Sequence, residues 1–276
     1  MSAKRILFIT QELFPYLKDS EIAVIARDLA SEFQEKGYEI RTFMPRYGII
    51  NERRNQLHEV IRLSGMNLII DDTDHPLIIK VASLAPTRMQ VYFIDNDDFS
   101  QKKAPYHNED GTEYDDWDER SVFFVRGVLE TVKKLRWMPD VIHCHGWMTA
   151  LAALYIKKHY IDNPCFAKAK IVYSIYENNH NMPFKKSFAK KVKVSGIENR
   201  DLTSILKKQD QVSLSKLAID HCDGVIQGSE QIDESLIGYA EQRKKPFLPY
   251  QEKVNGYVEK FSDFYNEIIG AKTVTV

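Results

Sequence analysis

The chain alternates between short runs that are apolar throughout and longer segments in which apolar residues recur at helical spacing. The first run is "RILFIT" (5–10), and residues 20–36 follow it as an amphipathic helix that ends at Gly37. A run that is apolar throughout is typical of a strand buried on both faces of a parallel sheet. The alternation therefore predicts an α/β fold with a doubly wound, mostly parallel sheet.

The same alternation continues to residue 229. The further predicted strands are residues 38–45, 57–63, 76–84, 89–95, 140–145, 170–176 and 223–229, of which the three between 57 and 95 form a β-rich excursion. The further predicted helices are residues 119–136, 148–158, 211–222, a short one after Gln231, and 256–270. Residues 96–118 and 177–210 are predicted as loops. We expect one domain over residues 1–245 and an extension over 246–276 that carries the last amphipathic helix.

Ligands of doubly wound sheets bind at the carboxyl ends of the strands. That edge is predicted to hold residues 11–20, 95–107, 143–148 and 176–182.

The composition favours a globular protein of the cytoplasm. The 276 residues are 43% hydrophobic and 28% charged, and the net charge of −1 gives nucleic-acid binding no bulk electrostatic support. No run approaches the ~20 apolar residues that span a bilayer, so we expect no membrane partner. The three cysteines, Cys144, Cys165 and Cys222, lack paired spacing, which favours reduced thiols over disulfides or structural zinc.

The most distinctive stretch is "PDVIHCHGWMTALAALYI" (139–156). His143 and His145 are predicted on the same side of a buried strand end, with Trp147 in the following turn. A metal site would need a third ligand, and none is spaced suitably nearby. A sugar or nucleotide pocket suits imidazole and indole groups, whereas histidines that only hydrogen-bond loop carbonyls explain the pattern equally well.

Two charged stretches have plainer interpretations. "KKSFAKKVK" (185–193) has five lysines in nine residues and is predicted as a solvated loop, with an acidic partner as the alternative. The acidic stretch 109–119 lacks the spacing of a calcium loop. Asp115 and Asp116 within it are predicted to cap the helix that follows.

Several blocks of the sequence resemble, in order and spacing, the N-terminal half of the bacterial and plant glycogen and starch synthases. The blocks are "QELFPYLK" (11–18), "PYHNEDGTEYDDWDERSVFFVRGVLE" (105–130), "PDVIHCHGWMTAL" (139–151), "KIVYSIYEN" (170–178) and "LSKLAIDHCDGVIQGSEQIDESL" (214–236). The resemblance implies one Rossmann-like half of a GT-B fold, in which two such domains face each other. It also implies elongation of α-1,4-glucan from ADP-glucose.

The family's pocket motifs are altered in this chain. In the loop Lys-x-Gly-Gly-Leu-x-Asp, Lys18 matches the lysine, Ser20 and Glu21 replace the glycines, and Val24 stands at the aspartate. His-x-His-Asp-Trp reads His143-Cys144-His145-Gly146-Trp147, and Thr-Ile-His-Asn reads Ser174-Ile175-Tyr176-Glu177.

On this basis we predict a set of substrate-binding residues, and we assign no catalytic residue, metal or cofactor. The predicted substrate-binding residues are Glu12, Lys18, Tyr106, His143, His145, Trp147, Tyr176 and Glu177.

The turn before the first helix is predicted to serve folding rather than phosphate binding. Asp19 and Glu21 complement the helix dipole and cap its N–H groups, but they repel a pyrophosphate. Only 46 residues follow Glu230, whereas a second doubly wound domain needs ~100 or more, so the donor-binding half is predicted to be missing. Residues 256–270 are then expected to pack back on the first domain, as the final helix does in two-domain transferases of this type.

Three functions follow as hypotheses. The first is a synthase homologue, reduced to its acceptor side, that binds α-1,4-glucan or maltooligosaccharide, or acts as an accessory to another polypeptide. The second is an ADP-glucose glucosyltransferase completed by a partner polypeptide or a second subunit. The third is an interaction scaffold that binds no sugar.

Overall fold

A computed structural model describes residues 4–18, 20–100, 105–108, 110–177, 184–254 and 256–270 of the chain. Its strands are β1 (Arg5–Thr10), β2 (Glu39–Pro45), β3 (His58–Glu59), β4 (Met66–Ile70), β5 (Thr73–Leu84), β6 (Met89–Asp95), β7 (Val141–His145), β8 (Lys170–Ile175), β9 (Gly224–Gln227) and β10 (Phe247–Leu248). Its α-helices are α1 (Glu21–Glu35), α2 (Asp97–Ser100), α3 (Trp117–Leu135), α4 (Leu151–Lys158), α5 (Phe188–Val192), α6 (Thr203–Lys207), α7 (Gln211–His221), α8 (Glu234–Gln242) and α9 (Tyr257–Ile269). Two 3₁₀ turns cover Trp147–Thr149 and Asn199–Leu202.

The strands form a mostly parallel sheet in the order β10-β9-β8-β7-β1-β2-β6-β5-β3. The chain moves outward from β1 to β2 and β6, then returns to β7 and continues through β8 and β9 on the other side. Only β5 and β3 run antiparallel to their neighbours along this order. The predicted doubly wound α/β fold is confirmed, and its direction of winding reverses between β1 and β7.

Two apolar layers enclose the sheet. Buried residues of α3, α4 and α7 share one cluster with one face of the strands. Buried residues of α1 and α9 form the other cluster with the opposite face. This burial on both faces is why the central strands read as continuous apolar runs.

The C-terminal helix α9 packs back on the sheet, as predicted. Val258, Phe261, Phe264 and Tyr265 are buried against the face that α1 also covers. Gly224 in β9 permits this close approach, because a Cβ there would collide with side chains of α9. Residues 247–248 add an edge strand, so the chain after residue 245 is continuous with the sheet. The domain boundary at residue 245 stays a prediction.

The excursion between β2 and α3 differs in detail from its prediction. Of the predicted strand 57–63, only the two residues of β3 pair, while β4, which was not predicted, forms a hairpin with β5. The turn of this hairpin uses Asp71 and Asp72 at positive φ, a conformation that aspartate tolerates better than most residues do. The last strand of the excursion, β6, pairs in parallel with β2 and belongs to the main sheet.

The N-terminus of α1 is capped by Ser20. The Ser20 hydroxyl accepts a hydrogen bond from the N–H of Ala23 at 3.0 Å. Glu21 lies in the first turn, where its charge complements the helix dipole. Asp19, the other predicted capping acid, lies outside the described residues.

The prediction of a solvated lysine loop at 185–193 was wrong for its central residues. Residues 188–192 form α5, and the ammonium group of Lys191 is buried between the carboxylates of Asp118 and Glu119, at 2.7 Å from each. Lys185 and Lys190 are exposed, as a solvated face requires.

The predicted cap of α3 was also wrong. Asp116 stands at the N-cap position, but its side chain makes no capping hydrogen bond. Its carboxylate accepts instead from the guanidinium of Arg120 at 2.7 Å. Asp115 forms an exposed ion pair with Lys185 at 3.5 Å.

Within the described ranges, every helix is too short or too polar to cross a lipid bilayer.

Candidate functional site

An open cavity of about 1060 Å³ lies at the carboxyl edge of the sheet. It is lined by the residues that follow β1, by the turn after β7, by the end of β8, and by the first turns of α1, α7 and α8. Its place matches the reversal of winding between β1 and β7, where sheets of this kind bind ligands. Residues 19, 101–104 and 178–182, which we expected at the same edge, lie outside the described residues.

Six of the eight predicted substrate-binding residues line this cavity. They are Glu12, Lys18, Tyr106, Trp147, Tyr176 and Glu177. The other two, His143 and His145, lie beneath the cavity wall and do not line it. Whether any of the eight touches a substrate stays a prediction.

The two histidines are fully buried in a hydrogen-bond network. Nδ1 of His143 lies 2.6 Å from the hydroxyl of Tyr265, and its Nε2 lies 2.6 Å from the hydroxyl of Ser174. Nδ1 of His145 lies 2.7 Å from the hydroxyl of Tyr176. The ring centroids of the two histidines are 3.7 Å apart, so both do face the same side of β7. Their partners are side-chain hydroxyls rather than the loop carbonyls considered from the sequence.

Burial keeps both imidazoles neutral. It lowers the pKa of His145 to about 3, and burial with the neighbouring His145 lowers the pKa of His143 well below its usual range. Within the described ranges, no three histidine, cysteine or acidic side chains come together as metal ligands would. The pair therefore supports the wall of the cavity and has no exposed ring nitrogen to offer a ligand.

The aromatic side chains at the cavity are mostly packed. The Trp147 indole packs edge to face on Trp117, with centroids 5.6 Å apart, and lies 5.8 Å from the ring of Phe184. The ring of Tyr176 lies against Gly228. Trp147 is 7% exposed and Tyr176 is 8% exposed, so little of either side chain is open to the cavity.

A tyrosine and a carboxylate pair at the end of β1. The Tyr106 hydroxyl donates a hydrogen bond to Glu12 and accepts one from the side-chain amide of Gln11 at 3.2 Å. Burial, together with Tyr47 and the charge of Glu12, raises the pKa of Tyr106 well above its usual value. Tyr106 is therefore a neutral hydrogen-bond donor that holds the Glu12 carboxylate in place.

Gly146 stands where the synthases that the sequence resembles have an aspartate, and a side chain at this position would require Gln11 to move. The residue has φ of 83°, which strains any L side chain. A Cβ at this position would collide with the side chain of Gln11, whose amide oxygen accepts a long hydrogen bond from the N–H of Met148 at 3.4 Å. Gln11 thus occupies the space that an acid at position 146 would need.

The described lining of the cavity is acidic. It contains four carboxylates and one lysine, namely Glu12, Glu21, Glu177, Asp233 and Lys18. At the start of α1 one N–H group is already bonded to the Ser20 hydroxyl, and Glu21 accepts a hydrogen bond from the hydroxyl of Tyr250 at 3.2 Å. An incoming anion would meet the negative charge of Glu21 at this helix terminus and would find one of the N–H donors already occupied.

The side of the cavity formed by α7 and the loop before α8 was not predicted from the sequence. Gln211 and Ser215 of α7 line it, as do Ser229 and Gln231. The signal was present, because "DGVIQGS" (223–229) was predicted as a strand and its carboxyl end belongs to the same edge.

Comparisons with known proteins agree with this architecture. The sequence pattern of the starch synthase catalytic domain matches residues 5–243. Glycogen synthase of Chlorobaculum tepidum is 31% identical over 234 residues, which cover 84% of this chain and 47% of that protein. Glycogen synthase of Chlorobium chlorochromatii is 30% identical over 260 residues, covering 91% of this chain and 52% of that protein. The chain spans about half the length of the curated relatives it matches.

A solved structure shares the fold. The catalytic domain of starch synthase IV from Arabidopsis thaliana, bound to ADP and acarbose, superposes with a TM-score of 0.74 at 19% identity, covering 92% of this chain and 52% of that chain. The match confirms one half of a GT-B architecture. With its sheet, its central cavity and a sequence match over residues 5–243, the chain belongs to the starch synthase catalytic domain family of glycosyltransferases.

Proposed function

We propose that this chain is an accessory member of its family that binds α-1,4-glucan or maltooligosaccharide and does not by itself transfer glucose from ADP-glucose. The observation that carries the proposal is the acidic cavity lining, with Ser20 and Glu21 where the family has a glycine pair. A site of this kind disfavours a diphosphate and tolerates an uncharged sugar chain.

Repulsion between the cavity carboxylates and a diphosphate would weaken binding strongly. A carboxylate and a phosphate charge about 6 Å apart repel by about 3 kcal/mol at an effective dielectric constant of about 20. Such a penalty weakens binding by about two orders of magnitude for each pair. Lys18 offsets one of the four carboxylates on the lining.

The same lining suits hydroxyl groups. Sugar hydroxyls donate to carboxylates and both donate to and accept from amides and hydroxyls, which the cavity offers at Glu177, Gln211 and Ser215. Glucan is the ligand we favour, because the named relatives are glycogen synthases.

A second candidate is an ADP-glucose glucosyltransferase that a partner polypeptide or a second subunit completes. Lys18 favours this second function, because it matches a lysine of the synthases that the sequence resembles and it lines the cavity. In that case donor affinity would appear only when the partner is present.

Calorimetry on the purified chain tests the proposal. We expect maltoheptaose to bind with a Kd in the micromolar to millimolar range, and ADP-glucose to give no saturable heat. Saturable ADP-glucose binding by the chain alone would overturn the proposal, and binding of neither ligand would leave an interaction scaffold as the better account.

A charge variant sharpens this test. Glu21→Gln removes a carboxylate from the cavity, whereas Glu35→Gln removes the same charge from the exposed far end of the same helix. We expect affinity for ADP, titrated in the millimolar range, to rise only in Glu21→Gln, and affinity for maltoheptaose to be equal in both.

We also propose that the chain is located in the cytoplasm. Cys144, Cys165 and Cys222 carry free thiols in the structure, which supports a reducing compartment.

A further inference from the structure

We propose that Gln211 is a specificity residue of the cavity, and that its side-chain amide binds a pair of neighbouring hydroxyl groups on an uncharged polyhydroxyl ligand. This inference rests on the proposed function and names the part of the cavity that recognises the sugar.

The Gln211 amide is buried and lacks a partner. The residue lines the cavity and is 5% exposed, yet neither its amide nitrogen nor its amide oxygen has a hydrogen-bond partner among the described residues. A buried amide without partners is costly, so native proteins rarely keep one without a reason.

The amide is not needed to cap its own helix. Gln211 is the first residue of α7, and the preceding Asp210 is the N-cap. The Asp210 carboxylate accepts the N–H of Ser213 at 2.8 Å, which is the usual capping bond. The unpaired amide therefore has no role in capping the helix. Both amide atoms lie just beneath the surface of the cavity that the residue lines, so contact with a ligand requires the Gln211 side chain to turn toward the cavity.

The neighbouring wall is polar and largely uncharged. The hydroxyls of Tyr173 and Ser215 lie 3.0 Å apart, and both residues line the cavity. Burial raises the pKa of Tyr173 well above its usual value, so its hydroxyl stays neutral. The polar side chains of Ser229 and Gln231 line the same cavity.

The Gln211 amide and the neighbouring hydroxyls select a ligand by its pattern of hydrogen-bond donors and acceptors rather than by its charge. A primary amide offers donors on nitrogen and an acceptor on oxygen, side by side in one plane. Two neighbouring sugar hydroxyls match both at once, because each hydroxyl can donate and accept. A phosphate oxygen would satisfy the nitrogen only and would leave the amide oxygen without a donor.

The test compares Gln211→Met with Gln242→Met in calorimetric titrations with maltoheptaose. Methionine keeps the length of the side chain and removes both polar atoms, and Gln242 is exposed at the end of α8, outside the cavity lining. We expect Gln211→Met to raise the Kd at least tenfold and Gln242→Met to leave it unchanged. Equal maltoheptaose affinity in wild type and Gln211→Met would overturn the inference while leaving the proposed function standing.

Thermal melting separates recognition from a structural role. Because the amide is unpaired in the ligand-free chain, Gln211→Met should melt at the same temperature as wild type or higher. A lower melting temperature would show that the amide stabilises the fold, which contradicts the inference.

A second measurement keeps the two proposals distinguishable if maltoheptaose fails to bind. The side-chain amide protons of Gln211 can be assigned as the NMR signals missing in Gln211→Met, and then followed during titration with glucose. A saturable shift with glucose but no maltoheptaose binding would uphold the role of Gln211 and reject the glucan. No shift with either sugar would reject both.

Discussion

The hydroxyl of Tyr265 in α9 lies 2.6 Å from Nδ1 of His143 in β7, although 122 residues separate them in the chain. Both groups are buried, so the bond joins the C-terminal helix to the centre of the sheet, directly beneath the cavity. The other ring nitrogen of His143, Nε2, lies 2.6 Å from the hydroxyl of Ser174 in β8. The last helix is therefore bonded, through His143, to the strands whose ends carry the site.

Removing this hydroxyl should destabilise the chain. Tyr265→Phe leaves Nδ1 of buried His143 without its partner, and an unsatisfied buried polar group costs about 1–3 kcal/mol. We expect the free energy of unfolding in urea to fall by that amount. Tyr38→Phe is the matched control, because its ring packs on the same cluster and no described side chain bonds its hydroxyl. Equal stability of the two variants would show that the Tyr265–His143 bond contributes nothing.

Truncation of residues 250–276 should abolish cooperative folding. The deletion removes Phe261 and Phe264 from the apolar cluster, and two buried phenylalanines contribute about 6–10 kcal/mol by the usual cost of Phe→Ala. That cost is comparable to the whole stability of a typical domain. Circular dichroism during heating should show a broad transition or none, whereas a sharp transition at the wild-type temperature would contradict the packing of α9.

Stability should fall as the pH drops below about 6.5. His143 and His145 have lowered pKa values in the folded chain, but in the unfolded chain they titrate near pH 6.5. The unfolded chain therefore takes up protons that the folded chain does not, and this favours unfolding by up to about 1.4 kcal/mol per pH unit for each histidine. His75 and His221, whose pKa values burial also lowers, act with the same sign.

Urea unfolding at pH 7.5, 6.5 and 5.5 checks this pH dependence. For each histidine that stays neutral in the folded chain, the free energy of unfolding should fall by about 0.3 kcal/mol between pH 7.5 and 6.5 and by about 1 kcal/mol between pH 6.5 and 5.5. A flat profile down to pH 5.5 would mean that the folded chain protonates these imidazoles, contrary to their burial.

Restoring the aspartate of the related enzymes at position 146 should damage the fold. Gly146→Asp adds a Cβ in a left-handed conformation and pushes on Gln11. Backbone strain of this kind costs about 1–3 kcal/mol before the collision is counted. Gly65→Asp is the control, because Gly65 has the same φ of 83° but open space around it. Thermal melting should show the larger loss for Gly146→Asp, and a smaller loss than in Gly65→Asp would contradict the close contact with Gln11.

Much of the fold could be predicted from the sequence, because the strands buried on both faces are apolar throughout. The apolar runs predicted the strands β1, β7 and β8, and their parallel arrangement predicted the edge of the sheet at which the loops after them meet. Hairpin β4–β5 was partly missed, since its register depends on a turn formed by Asp71 and Asp72 rather than on an apolar run. The burial of Lys191 was missed because its partners, Asp118 and Glu119, lie more than 70 residues away in the chain.

The site was predictable only in part, for a similar reason. The rule that ligands bind at strand ends placed Glu12, Lys18 and Glu177 at the cavity correctly. That rule does not say which side chains at a strand end point into the cavity and which point into the apolar layer beside the sheet. His143 was therefore predicted at the cavity, although its side chain is buried. Gln211 belongs to no sequence motif. It is identified as a candidate only because its buried side-chain amide has no hydrogen-bond partner among the described residues of the folded chain.

We propose that an acidic cavity of this kind does not support glucose transfer from a nucleotide sugar without another polypeptide. The most direct measurement is incorporation of radiolabelled glucose from ADP-glucose into glycogen, with the purified chain as the only protein present. We predict no incorporation above that of a heat-denatured sample at any donor concentration. Label that enters glycogen in proportion to the amount of chain added, and in a donor-saturable manner, would contradict the account.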